Sequence, residues 1–177
     1  NKFQDEILPI HVNSGFTKFD DNNLEICIYR KEEWMKVFIH ECFHAFNMDF
    51  HEENIDFKVF FKNIFNIESN YLLFESFVEF WARILNCGIF TYFLKNNITS
   101  NDFHKIFTIN LNIERIHSIL QGCKILKLFN LDYETIINPN IKDNQKKIKL
   151  YKENTNAFAY YIITGILMNT FDKTLQW

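Results

Sequence analysis

The sequence predicts a mostly helical α+β domain with a small antiparallel sheet at its N-terminus. Three observations carry that expectation. Two short β-branched segments come first in the chain, apolar residues then recur at helical spacing from Lys31 onward, and no Gly-rich loop follows a strand. The last point removes the phosphate-cradling loops of nucleotide-binding folds. A length of 177 residues fits one domain that buries about two-thirds of the surface of its unfolded chain. With 47% hydrophobic residues and 21 Phe, disorder is excluded for most of that length.

The elements follow in order. "ILPIHV" (7–12) and "LEICIYR" (24–30) read as the two strands, the second alternating Leu24, Ile26 and Ile28 against Glu25, Cys27 and Tyr29, with "NSGFTKFDDNN" as the turn between them. A helix from Lys31 to Phe46 places Trp34, Val37, Phe38, Cys42 and Ala45 at apolar spacing, with Glu32 and Glu33 in the first turn, where the helix dipole favours acids. Asn47 then stands where a helix end needs a residue tolerant of left-handed geometry. Further helices are expected over 55–66, 70–95, 101–108, 112–129, 132–138 and 155–171, the last preceded by a solvated lysine-rich linker, "IKDNQKKIKLYK" (141–152).

Charge and cysteine usage narrow the function. A formal charge of -3 gives no footprint for nucleic acid or an anionic membrane, and the apolar run at 157–168 is too short to span a bilayer. Cys27, Cys42, Cys87 and Cys123 form no C-x-x-C pair, so neither a disulfide scaffold nor a thiolate zinc site is expected. Buried free thiols in a reducing, intracellular compartment fit better. Scarce Gly and Pro beside abundant Asn, Ile, Lys and Phe follow from AT-rich coding and carry no functional meaning. The chain begins without Met and ends on Trp177, which is compatible with a fragment of a longer protein.

The chemistry lies in "HECFH" at 40–44. His40 and His44 stand one helical turn apart, so both imidazoles share a face and can reach one cation, and Glu41 flanks the open side. A shuffle of this composition yields H-E-x-x-H only about 0.015 times, which makes chance a weak rival. The competing reading is a pair of core histidines with a surface acid. It has to find partners for three polar groups among Phe38, Ile39, Phe43 and Phe46, and a metal supplies them at once.

A third ligand is sought in "NYLLFESFVEFWARIL" (70–85), where Glu75 and Glu79 share one face of an apolar helix. Like charges at i, i+4 repel unless a cation is near. Glu79 has Arg83 four residues on, whereas Glu75 has no such partner in its own helix. Glu75 is therefore assigned as the ligand, with Glu79 orienting a ligand histidine or simply pairing with Arg83. Glu79 itself, and Asp49 or His51 on the chain just after the motif, remain as alternative third ligands. Tyr71, His51, Tyr160 and Tyr161 are candidates to stabilise an oxyanion opposite Glu41, of which Tyr71 is chosen. His11, His104 and His117 lack partners at ligand spacing.

These residues resemble the gluzincin class of zinc metallopeptidases, in which the third ligand is a Glu on a helix downstream of H-E-x-x-H. "ESFVEFWARIL" is similar in pattern to the E-x-x-x-E helix of the anthrax lethal-factor-like branch, whose first Glu binds metal and maps onto Glu75. The resemblance covers about 50 of 177 residues. It implies a zincin-like domain with an H-E-x-x-H active-site helix, a strand edge above it that docks an extended peptide, and Zn²⁺ held by His40, His44 and Glu75. It also implies peptide-bond hydrolysis with Glu41 as general base, on a peptide or protein substrate. The metzincin pattern does not fit, since it requires Gly at 47 and His at 50, where this chain has Asn47 and Phe50. The alternative function is a catalytically inactive zincin-like binding or virion-structural module that keeps the zinc site.

Overall fold

The computed structural model describes residues 8–20, 23–49, 72–94, 97–138, 140–153 and 155–174, with positions 59, 61, 63–65 and 67 between the second and third of these stretches. It is a mostly helical α+β fold with a two-stranded antiparallel sheet. The sheet is where the sequence reading places it along the chain, but its strands are shifted. Pro9–Val12 is a helical turn, α1, while the strands are β1 (Gly15–Asp20) and β2 (Asn23–Ile28). Pro9 suits the first position of a helix, where its missing N–H costs nothing. The segment expected to be the turn contains Phe16, Thr17 and Phe19, which favour extended backbone. The register pairs Gly15 with Ile28 and Asp20 with Asn23, which leaves two residues of the "DDNN" run for the connection.

After a 3₁₀ turn at Lys31–Glu33, α2 (Trp34–Ala45) carries the H-E-x-x-H motif. It ends as expected, with Asn47 at φ 52°, a left-handed conformation that Asn tolerates better than other side chains. Both strands and the long helix α3 (Leu73–Phe93) pack on α2. Of the expected helix at 55–66, the described positions 59, 61 and 63–65 are helical and the rest lies outside the described residues.

Two expected helices, 101–108 and 112–129, are one helix, α4 (Ser100–Leu128). No Gly or Pro interrupts Ile109, Asn110 and Leu111, so nothing stops the first helix from continuing. The hydroxyl of Thr99 caps it by accepting the Asp102 N–H at 3.1 Å. The short helix α5 (Tyr133–Ile137) is capped in the same way by Asp132. The supposed lysine-rich linker contains a further helix, α6 (Lys142–Ile148), and its apolar residues are its anchors: Ile148 and Tyr151 are almost fully buried while the lysines around them face outward. A π-helix (Phe158–Ile163) then leads into α7 (Thr164–Asn169) and α8 (Phe171–Thr174).

The main core gathers Phe65, Ile136, Ile148, Tyr151 and Phe158, and a smaller one joins Phe80, Ile84, Leu111 and Met168. All four cysteines are free, as expected, but only Cys87 is buried, and Cys27 and Cys123 are exposed. Among the described residues no helix is long and apolar enough to cross a membrane.

Candidate metal centre

Helical spacing on α2 and α3 brings three ligand atoms together. His40 and His44 present their Nε2 atoms to each other at 3.1 Å, and Oε2 of Glu75 lies 3.3 Å from the first and 3.4 Å from the second. The three donor groups lie within 4.8 Å of one another and could hold one metal ion.

The outer nitrogens of the two imidazoles decide what the inner ones do. Nδ1 of His40 faces Oε2 of Glu79 at 3.1 Å, and Nδ1 of His44 faces Oδ2 of Asp49 at 2.8 Å. A carboxylate accepts, so each Nδ1 carries the proton and donates it. Each neutral ring then turns a bare Nε2 lone pair inward, toward an acceptor-only carboxylate oxygen. Oε2 of Glu75 is buried and has no well-aligned donor. With both rings neutral, three lone pairs would converge without hydrogen between them and repel, and either a proton on an inner nitrogen or a metal cation resolves the conflict. The donor set fits a metal on this ground.

Without a metal, protons fill this role. Burial opposes charge on His40, yet the contacts to Glu75 and Glu79 outweigh it and raise its pKa to about 9. His44 is raised for similar reasons, through Glu75 and Asp49 against burial. Burial would raise Glu75, but its contacts with the two imidazoles bring it down to about 2. The centre therefore favours positive charge over neutrality.

Glu79 joins this centre to a buried ion network. Its carboxylate receives Nζ of Lys36 at 3.0 Å and Nε of Arg83 at 2.9 Å, while Nη1 of Arg83 continues to Glu114. Burial pushes the Glu79 carboxyl up, but Lys36 and Arg83 hold it well below the usual carboxylate range. Two of the roles considered for Glu79 from sequence are thus combined, and the third, that of a metal ligand, is left to Glu75. It orients His40 and it pairs with Arg83.

Glu41 is buried beside the sheet. The Thr17 hydroxyl lies 2.8 Å from its Oε2 and 3.1 Å from its backbone carbonyl, so β1 rather than β2 fixes the orientation of this carboxylate. Gly15 makes the close approach feasible. A Cβ there would stand 2.7 Å from Cγ1 of Val37 and 3.4 Å from Oε1 of Glu41. Glu41 and His40 line one polar cavity of 260 Å³, together with Lys36, Arg83, His117 and Tyr160.

The π-helix brings Tyr160 to the centre. Its ring centroid lies 5.8 Å from that of His40, and its phenol feels the charge of the Glu75 carboxylate. Burial first, and the charge of Glu75 second, raise the phenol well above its ordinary value, so it is a proton-bearing donor. π-Helical turns recur at functional sites, and this one is pinned by the Thr164 hydroxyl, which donates to the Ala159 carbonyl at 2.9 Å.

Of the residues singled out from sequence, His40, His44 and Glu75 come together, Glu79 meets His40, and Glu41 borders the cavity that His40 lines. Asp49 is not placed as a ligand, because its carboxylate takes the His44 nitrogen that faces away from Glu75. Tyr71 and His51 lie outside the described residues, and Tyr160 is the tyrosine found at the centre. Thr17 and Lys36 escaped sequence reading. Lys36 was detectable in principle, being one turn before His40 on the same helix face.

Fold and site together define a protein with a buried His₂Glu group, shared by two packed helices and able to hold a metal ion. No protein-family model, curated protein or solved structure matches the chain.

Proposed function

We propose that the protein is a zinc-dependent metallopeptidase of the zincin type, with His40, His44 and Glu75 as a gluzincin-like ligand set. The observation that supports it most is the convergence of three ligand groups, one of which, His40, lines the same cavity as Glu41, a carboxylate outside the ligand set. His₂Glu sites accept several first-row metals, of which zinc is proposed here; when bound it would lower the pKa of water toward 7 and polarise a carbonyl.

The chain's own residues supply the rest. Glu41 takes a proton from the attacking water and passes it to the leaving amine, so the base becomes the acid of the second half. Thr17 keeps the Glu41 carboxylate facing the cavity by donating to Oε2. Tyr160 offers its hydroxyl to the oxyanion that forms on the scissile carbonyl. The two-stranded sheet beside α2 provides backbone to which an extended peptide can add.

The direct test is cleavage of a peptide library by the purified protein. Activity that is lost on chelation and restored by zinc is expected; failure to cleave any member with zinc bound would overturn the enzymatic reading. Tyr160→Phe is expected to lower kcat by about 10²-fold with little change in KM or zinc content, the usual cost of one oxyanion donor. An unchanged kcat would remove Tyr160 from the mechanism.

A further inference from the structure

Helix α4 has apolar residues on two opposite sides. One side, with Leu111, Ser118, Gly122 and Leu126, is buried in the molecule. The other carries Ile106, Ile109, Ile113, Ile116, Leu120 and Cys123 at strict three-four spacing, and Ile109, Ile113, Ile116 and Leu120 are 58%, 60%, 61% and 54% exposed. Such spacing over nearly three heptads is the seam of a coiled coil, in which another helix covers the strip. The seam begins at Asp102 and ends at Lys127, both in register with it.

We propose that this face of α4 pairs antiparallel with the same face of a second copy of the chain. The seam is self-complementary in that direction. Aligned about a two-fold axis between Ile113 and Ile116, each of these meets the other on the partner copy, Ile109 meets Leu120, Ile106 meets Cys123, and Asp102 meets Lys127. The acidic and basic ends therefore form two equivalent ion pairs. A parallel arrangement would set Lys127 against Lys127 and Asp102 against Asp102, so charge selects the antiparallel one.

The edges of the strip agree with this. Asn110 and Asn112 flank it without charge, and Lys105 and Lys124 stand level on the two copies but on opposite edges of the strip, so they do not meet. The strip is about 37 Å long from Asp102 to Lys127, and with a contact width of one helix it covers roughly 400 Å² per copy. That is less than a stable interface buries and falls among weak, transient ones, so the dimer is expected to be weak, with a Kd on the order of micromolar or above. His117, at the edge of the seam, also lines the cavity beside His40, so the partner helix borders the mouth of that cavity.

Sedimentation velocity of the full chain between about 1 and 100 μM tests the pairing. A monomer–dimer equilibrium is expected. Asp102→Lys and Lys127→Asp should each weaken it by about tenfold, the double variant should restore it, and Ile113→Glu should leave a monomer. Mild oxidation of Ile106→Cys should link the new thiol to Cys123 of the partner copy, whereas the unaltered protein should give no link from Cys123 to Cys123. A wild-type protein that stays monomeric at 100 μM, a dimer indifferent to these substitutions, or a Cys123–Cys123 cross-link would each overturn the proposal. In the first case the seam serves a different chain, in the second the copies meet elsewhere, and in the third they pair in parallel.

Discussion

Replacing Glu41 by glutamine is expected to cut peptide turnover by at least about 10³-fold while the metal stays bound, because a positioned acid–base group supplies up to about 10⁴-fold. The separation of the two effects follows from geometry. The ligand atoms belong to His40, His44 and Glu75, and Glu41 is not one of them. Glutamine keeps a carbonyl oxygen for the Thr17 hydroxyl that now reaches Oε2 at 2.8 Å, so the side chain can stay in place and lose only its basicity. Steady-state kinetics with metal content measured on the same sample checks this. Near-normal kcat would remove Glu41 as the base, and loss of metal in parallel with activity would place it among the ligands instead.

Glu79→Ala should be the most damaging single change to stability, at about 3–5 kcal/mol, the cost of breaking a buried ion pair from one side. Lys36 and Arg83 would both lose the carboxylate that compensates their burial, and His40 would lose the acceptor of its Nδ1 proton. For a chain of this size that corresponds to a fall in Tm of about 10 °C. Thermal unfolding of the zinc-free protein measures it. Zinc affinity should also drop by about 10- to 100-fold through the misoriented imidazole.

The pH dependence gives a second reading of the same residue. The folded state holds the Glu79 carboxyl well below its ordinary value of 4.5, so it binds fewer protons than the unfolded chain. Its contribution to stability is therefore present above pH 4.5 and is lost as the pH falls below that. Glu79→Gln should flatten the acid limb of the stability profile. A variant as stable as the parent protein, with an equally steep acid limb, would contradict the buried network.

The centre was legible in the sequence to the extent that one helix wrote it. His40 and His44 at i, i+4 fix their own meeting, whatever the rest of the chain does. Glu75 and Glu79 were readable because two carboxylates four apart in an apolar helix need an explanation, and Arg83 explains only one of them. What joins elements distant in sequence was not readable. Thr17 reaches Glu41 across 24 positions, and the strand that carries it was taken for a turn, since Gly15 and Asp20 signal turns as strongly as Phe16 and Phe19 signal strands.

Tyr71 lies outside the described residues, and the approach of Tyr160 to the centre was not readable for a related reason. Nothing in "AYYIITG" announces a π-helix, and it is this local widening that accompanies the delivery of Tyr160 to Glu75. In "IKDNQKKIKLYK" the lysines conceal Ile148 and Tyr151, whose burial anchors a helix that the charge run does not predict. Composition averages over a segment, while packing selects single residues from it.

Metal analysis of the purified protein tests the central claim most directly. Mass spectrometry of the metal content should find one zinc per chain, falling to about a tenth or less in both His44→Ala and Glu75→Ala while their helical content is retained. A wild-type protein that takes up no stoichiometric metal from equimolar zinc, or variants that bind it as well as the parent, would contradict the reading of these three side chains as ligands.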